Sequence, residues 1–215
     1  LLILIFISLT AFSQNTVNRK VGPFNRLYVG DRMVVNLIKS DHEAISIKTQ
    51  EMSPENIVSV IKENTLRLTI VREIFGKGKV YVTVYYKNLK ALDVQNGAEV
   101  STETLFKSDS LTVVLKSGGT LYLDADVNYL NSYVVEGSLL SAEGYAVTHD
   151  IVVATSATVS AFDLESEMVK VKASSGGKAK INVEKQLTAE TASGGYIAYR
   201  GNPAVKNLNS NHKKE

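Results

Sequence analysis

The chain has 215 residues, 44% of them hydrophobic and 21% charged, which is the make-up of a folded globular protein and excludes disorder of the whole chain. Twenty-four basic against 22 acidic residues leave a formal net charge of +2, so neither the basic excess of a nucleic-acid binder nor the acidic excess of a polyanion mimic is present. The sequence has no cysteine, which excludes disulfides, thiol nucleophiles, iron–sulfur clusters, thiolate metal sites and a lipidated N-terminal cysteine, and no tryptophan, which weakens a reading as an aromatic sugar-binding platform.

Residues 1–12, LLILIFISLTAF, include ten apolar residues and no charge. A transmembrane helix needs about 20 such residues, and polar Ser13, Gln14, Asn15 and Thr16 follow too soon. Ala11 and Ser13 occupy the small-residue positions of a cleavage site. Residues 1–13 are therefore predicted to be a signal peptide cut before Gln14, and truncated at its start because the initiating Met and basic flank are missing. A buried N-terminal strand is the competing reading. Export places the mature chain in the periplasm, on the outer cell surface or outside the cell. No later stretch is long enough to span a membrane as a helix.

Residues 14–87 are predicted to form a small antiparallel β region. Alternation of period 2 marks strands at 26–29, 33–38, 45–47, 65–70 and 80–86. Pro54 to Lys62 is the one stretch that reads as a helical turn or two, and Glu73 to Lys79, with Gly76 and Gly78, reads as a hairpin loop between the last two strands.

From residue 88 to 206 the chain repeats. Short tetrapeptides recur as Gln95-Asn96-Gly97-Ala98, Lys116-Ser117-Gly118-Gly119, Val135-Glu136-Gly137-Ser138, Ala154-Thr155-Ser156-Ala157, Ser174-Ser175-Gly176-Gly177 and Ala192-Ser193-Gly194-Gly195. Their third residues, the corner positions Gly97, Gly118, Gly137, Ser156, Gly176 and Gly194, are spaced by 21, 19, 19, 20 and 18 residues. Three places before the corner stand Val94, Leu115, Val134, Val153, Ala173 and Thr191; three places after it stand Val100, Leu121, Leu140, Val159, Ala179 and Ile197. Each unit is thus strand, tight corner, strand, with apolar residues on one side. A unit of about 19 residues cannot bury that side alone, but stacking at the ~4.8 Å strand spacing does so. The prediction is an all-β fold, a parallel β-helix of about six coils, followed by a polar tail at 207–215. An antiparallel sandwich is the alternative. The residue before each corner is polar in every unit (Asn96, Ser117, Glu136, Thr155, Ser175, Ser193), and parity places this column inward as a hydroxyl ladder. Because the corner accepts Ser156, and the next position accepts Ala98, Ser138 and Ala157, crowding rather than backbone conformation is expected to select small residues there, making Gly195→Ala nearly neutral.

The run Leu187 to Pro203, LTAETASGGYIAYRGNP, together with the earlier Ser-Gly corners, resembles the auto-transporter adhesin family that carries a "head GIN" domain. That family ends in an I-x-Y-x-G-x-P box, matched by Ile197, Tyr199, Gly201 and Pro203, and opens with an F-x-x-L-x-V strand, matched by Phe24, Leu27 and Val29. The resemblance spans roughly residues 22–205 and implies a right-handed β-helix, export and no enzymatic activity. Coil four departs from it by carrying Ser156 in place of Gly, and the tail after Lys206 has no further Gly-rich turn. No translocator barrel is present in the sequence, so self-transport is not implied.

Parallel β-helices also host glycan lyases and hydrolases, which need clustered carboxylates or a carboxylate-held cation. Asp124, Asp126 and Asn128 share one strand face but diverge along it, and Asp163, Glu165 and Glu167 alternate outward with Lys170 and Lys172 behind them, as in a cross-coil ion-pair surface. His42, His149 and His212 are scattered without ligand spacing and read as surface residues; His149-Asp150 could orient an imidazole, but no nucleophile elbow accompanies it. No catalytic, cofactor or metal residue is therefore assigned. Val114, Tyr133, Val135, Leu139 and Val152 are predicted to point outward from neighbouring coils as an apolar patch, either covered by the N-terminal β region or a neighbouring strand, or left open as a contact face for a partner or a second copy. The expected function is a non-catalytic envelope interaction module binding an envelope or surface partner, protein or glycan. A glycan-active β-helix enzyme and a scaffold without soluble ligand are the alternatives.

Overall fold

The structure, a computed structural model, describes residues 15–71, 78–209 and 212–214. The signal peptide expected at 1–13 lies outside the described residues, as does most of the loop expected at Glu73–Lys79.

The chain folds as β1 (Asn15–Lys20), β2 (Arg26–Val29), β3 (Val34–Lys39), β4 (Ala44–Gln50), β5 (Ile57–Lys62), β6 (Thr65–Ile70), β7 (Lys79–Tyr86), β8 (Ala91–Val94) and β9 (Glu99–Thr102). Longer strands follow: β10 (Phe106–Leu115), β11 (Thr120–Val134), β12 (Leu139–Val153), β13 (Thr158–Ala173) and β14 (Lys178–Thr191). Three short strands, β15 (Tyr196–Arg200), β16 (Val205–Asn209) and β17 (His212–Lys214), complete the stack.

From β8 onward all pairing is parallel. β11 pairs with β12 along almost its whole length, Thr120 opposite Leu139 and Val134 opposite Val153, and the same relation carries through β13 and β14. This is a parallel β-solenoid of about six turns, one repeat per turn. The two apolar columns read from the sequence become its interior. Val94, Leu115, Val134, Val153 and Ala173 are stacked in register and fully buried, as are Val100, Leu121, Leu140, Val159, Ala179 and Ile197 across from them. Each buried Val or Leu of this kind contributes about 1.5–3 kcal/mol of apolar transfer energy, and no coil could obtain it without the next.

The corners are four-residue turns. The N–H of the fourth residue donates to the carbonyl of the first in every unit: Ala98 to Gln95, Gly119 to Lys116, Ser138 to Val135, Ala157 to Ala154, Gly177 to Ser174 and Gly195 to Ala192. Both central residues have positive φ, from 47° at Ser193 to 77° at Gly194. This mirror-image turn reverses the expectation for the polar column. Two successive left-handed residues break the strand parity, so Asn96, Ser117, Glu136, Thr155, Ser175 and Ser193 are exposed and form no inward ladder. The corners nevertheless interlock through their backbone, since the central N–H of each donates to the corner carbonyl of the next, Gly97 to Ser117, Gly118 to Glu136 and Gly137 to Thr155.

Backbone conformation and crowding therefore act at different positions. The corner residue itself needs the left-handed region. The residue after it is pressed against the preceding coil: a Cβ on Gly195 would lie 2.1 Å from the Ala173 carbonyl oxygen. Gly195→Ala cannot be neutral, contrary to the sequence expectation. Units with Ala or Ser in this place show longer turn hydrogen bonds, 3.1–3.3 Å against 2.8–3.0 Å for Gly119, Gly177 and Gly195, so a Cβ is accommodated by opening the turn.

The N-terminal region joins the same stack. β2 pairs in parallel with β6 and β8, and β3 with β7 and β9, around another left-handed pair, Asp31 and Arg32. The antiparallel part is β1 on β4, β4 on β7, and β5 on β6. The helical turn expected over Pro54–Lys62 is only a 3-10 turn at Pro54–Asn56. The β-branched run Ile57-Val58-Ser59-Val60-Ile61 continues as β5, because it fits a half-buried strand better than a helix. Within the stretch expected as a polar tail, residues 207–209 and 212–214 lie in strands. β16 lies on β14 and β17 on β15 as a last partial turn.

Candidate functional site: an outward sheet face

Alternation along β10–β13 turns one set of side chains into the solenoid and the other out. The outward set forms three columns across neighbouring strands. Asn131 faces Thr112 on one side and Asp150 on the other, and Asp150 faces Lys170. One rail beside this polar spine is Val114, Tyr133 and Val152, followed by Lys172; the other is Ser110, Tyr129, Thr148 and Met168. Tyr129 is 58% exposed, Tyr133 44% and Val152 39%. A shallow, open hollow of about 300 Å³ lies between the spine and the first rail. Lys116 places its Nζ 5.6 Å from the Tyr133 ring centre, and Lys172 pairs with Glu190 at 2.8 Å, so both flanking cations are tethered.

Of the five residues predicted to share a contact face, Val114, Tyr133 and Val152 are brought together in one column. Val135 is buried at its corner, 6% exposed, because the turn folds it under. Leu139 stands past the corner, in register with Thr120 and Thr158. Tyr129 and Met168 were not singled out from the sequence, although the same parity that marks Tyr133 marks Tyr129 four residues earlier. The corner positions Gly97, Gly118, Gly137, Ser156, Gly176 and Gly194 all adopt positive φ and stack at one edge.

The carboxylate candidates lie on other surfaces. Asp126 pairs with Lys107 at 3.0 Å, and Asn128 donates to Asp109 at 3.0 Å, so this strand face is occupied by cross-coil pairs. Glu167 accepts a hydrogen bond from Tyr145 at 2.9 Å and pairs with Lys185 at 2.7 Å. These contacts hold the Glu167 carboxyl below its usual range, Lys185 contributing most, and push the Tyr145 phenol up. Its partner is thus Lys185 and not the nearby Lys170 or Lys172. A second hollow, of about 260 Å³, is lined by Asp124, Glu143 and Asp163, but among the described residues no three carboxylates or histidines converge as a metal site.

His149 is not on the surface. It is 1% exposed, pointing into the solenoid between Leu130 and Val169, and its Nε2 lies 2.9 Å from the Ser132 Oγ. Burial pushes its pKa down to about 3, so the ring is neutral. Asp150 points the opposite way, as strand alternation requires, and does not orient the imidazole. A serine beside a neutral histidine is the composition of an activated nucleophile, but both side chains are enclosed by the core, and here they satisfy each other's polar groups. His42 is exposed and lies 2.7 Å from Asp41, whose carboxyl it holds low.

Comparison with solved structures gives the same fold at low identity. A putative adhesin from Bacteroides fragilis NCTC 9343 is similar over 95% of this chain and 98% of that one, with TM-score 0.81 and 20% identity. A putative adhesin from Parabacteroides distasonis ATCC 8503 covers 94% and 97%, with TM-score 0.72 and 18% identity. A structure from the same organism described as a putative lipid binding protein covers 94% and 96%, with TM-score 0.67 and 14% identity. Comparison with curated proteins found no match. The closing box accounts for itself physically: Ile197 and Tyr199 are core residues of the last full turn, and Gly201, at φ 92°, has no room for a Cβ against the Val183 carbonyl. That box, the repeated corners and the opening strand all lie within residues 23–203, over which the chain matches, and therefore belongs to, the family described as "Putative auto-transporter adhesin, head GIN domain".

Proposed function

We propose that this chain is an exported, non-catalytic interaction module of the cell envelope, attaching to a surface partner through the outward face of β10–β13. The observation that carries this reading is the gathering of exposed Tyr129, Tyr133, Val152 and Met168 on one outward sheet face. Family membership supports attachment and export. The dispersal of the carboxylates into cross-coil pairs and the enclosure of Ser132 and His149 support a binding rather than a catalytic role. Affinity would come from many modest contacts spread over the face, because its hollow is open and shallow.

The test is retention of the purified chain by envelope fractions and whole cells, with glycan cleavage followed in the same samples. Retention lost on combining Tyr133→Glu with Val152→Glu, and no product with or without Ca²⁺, is the expected result. Product formation abolished by Asp124→Ala or Asp126→Ala would establish an enzyme instead. Mass spectrometry of native envelope fractions should find the mature N-terminus at or near Gln14; a cytoplasmic chain keeping residues 1–13 would contradict export.

A further inference from the structure

The polar spine of this face has a chemistry that the surrounding surface lacks. Thr112, Asn131, Asp150 and Lys170 occupy successive strands in register, one every ~4.8 Å along the solenoid axis. All four are exposed, and among the described residues none of their side chains is engaged in a hydrogen bond or ion pair, whereas Lys172, one column away, is held by Glu190. They offer in turn a hydroxyl, an amide, a carboxylate and an ammonium, so donors and acceptors are both available and the charges of Asp150 and Lys170 cancel. The rails beside them present the rings of Tyr129 and Tyr133 on one coil, one on each side of Asn131.

We propose that this face binds an extended, uncharged glycan whose chain runs along the solenoid axis, one sugar unit per coil. The proposal rests on the reading of this face as the interaction surface and names its ligand class. Sugar hydroxyls both donate and accept, which is what a mixed spine of uncommitted groups complements. The C–H faces of a pyranose are apolar and pack on tyrosine rings, while the phenol oxygens stay in water. The coil spacing is close to the length of one pyranose unit in an extended chain, so each unit meets one spine residue. An acyl chain is disfavoured, because it would strip water from the four spine groups without replacing their hydrogen bonds. The open trough also suits a polymer laid lengthwise better than a small molecule, which needs enclosure on most sides.

The experiment is calorimetric titration of the full chain with neutral β-linked glucan, xylan, mannan and chitin oligosaccharides from monomer to hexamer, with neutral and anionic lipid vesicles alongside. At least one series should bind, with affinity rising with length to about four units, the length of the spine, and then levelling. Tyr133→Ala and Asn131→Leu should each weaken that binding at least ten-fold. Tyr122→Ala, at the other end of β11 beside the second hollow and 45% exposed, should leave it unchanged. Length-independent affinity, equal loss in the Tyr122 variant, or binding of vesicles alone would overturn the proposal. If no oligosaccharide binds while envelope fractions are still retained in a Tyr133-dependent way, the glycan is wrong and the interaction face stands. If retention is also independent of Tyr133, both fall.

Discussion

Mild acid should destabilise this protein through one buried side chain. His149 sits inside the solenoid with Ser132 as its hydrogen-bond partner, and burial lowers its pKa from 6.5 to about 3. In the unfolded chain the ring takes up a proton below about pH 6.5, while in the folded protein it stays neutral until about pH 3. The unfolded state then binds more protons, so the stability contribution is intact above pH 6.5 and is lost as pH falls towards 3. At about 1.4 kcal/mol per unit, the full loss is of order 5 kcal/mol, a large share of the 5–15 kcal/mol typical of a domain. Asp41 and Glu167, whose carboxyls are held low by His42 and by Lys185 with Tyr145, lose their contributions at lower pH, near and below the 3.8 and 4.5 of the free groups. The window from pH 6.5 to 5.0 therefore isolates the histidine. Urea unfolding followed by circular dichroism should show wild type losing about 2 kcal/mol across that window. A variant combining His149→Leu with Ser132→Ala, which leaves no orphaned hydroxyl, should stay flat. The same slope in both proteins would refute the reasoning and place the acid sensitivity elsewhere.

The corners give a second set of expectations. Gly137 has φ 69° and nothing within 4 Å of an added Cβ, so Gly137→Ala should cost about 1 kcal/mol, from backbone strain alone. Gly195→Ala, which meets the Ala173 carbonyl, should cost roughly 1–3 kcal/mol and loosen the neighbouring coil; denaturant melts of the pair separate strain from crowding. Thr155 holds a β-branched residue at φ 53°, and Thr155→Asn, as at Asn96, should stabilise by roughly 0.5–1 kcal/mol in the same assay. Arg19 donates to the carbonyls of Ile57 and Pro54 and to the Ser59 hydroxyl, tying β1 to the start of β5. Arg19→Ala should cost about 1–3 kcal/mol and raise hydrogen exchange in residues 15–20 and 54–59 without touching the solenoid amides.

The repeat was legible because stacking imposes a column on the sequence: a residue three places from a corner faces the interior in every coil, so Val94, Leu115, Val134 and Val153 recur in phase. What stayed hidden broke that simple parity. Asp31 and Arg32 adopt the same left-handed turn without a glycine, and the insertion of β4–β7 separates them from the next corner, so the first turn of the stack gave no periodic signal. The polar corner column pointed outward because two left-handed residues reset the alternation. Ser132 and His149 meet only across coils, at a separation of 17 residues that no local motif encodes. The outward face of β10–β13 was partly visible in Val114, Tyr133 and Val152, which register sets in one column. Its polar spine was not, because Thr112, Asn131, Asp150 and Lys170 look like ordinary surface residues until register lines them up.

The central claim is that a partner docks on the outward face of β10–β13. Tyrosine oxidation by hydroxyl radicals tests it most directly, since Tyr129, Tyr133 and Tyr122 are comparably exposed in the free chain, but Tyr122 lies at the other end of β11, beside the hollow lined by Asp124, Glu143 and Asp163. With the chain bound to envelope material, Tyr129 and Tyr133 should be protected while Tyr122 remains as reactive as before. Protection of Tyr122 alone, or unchanged oxidation of all three in the bound state, would contradict the account.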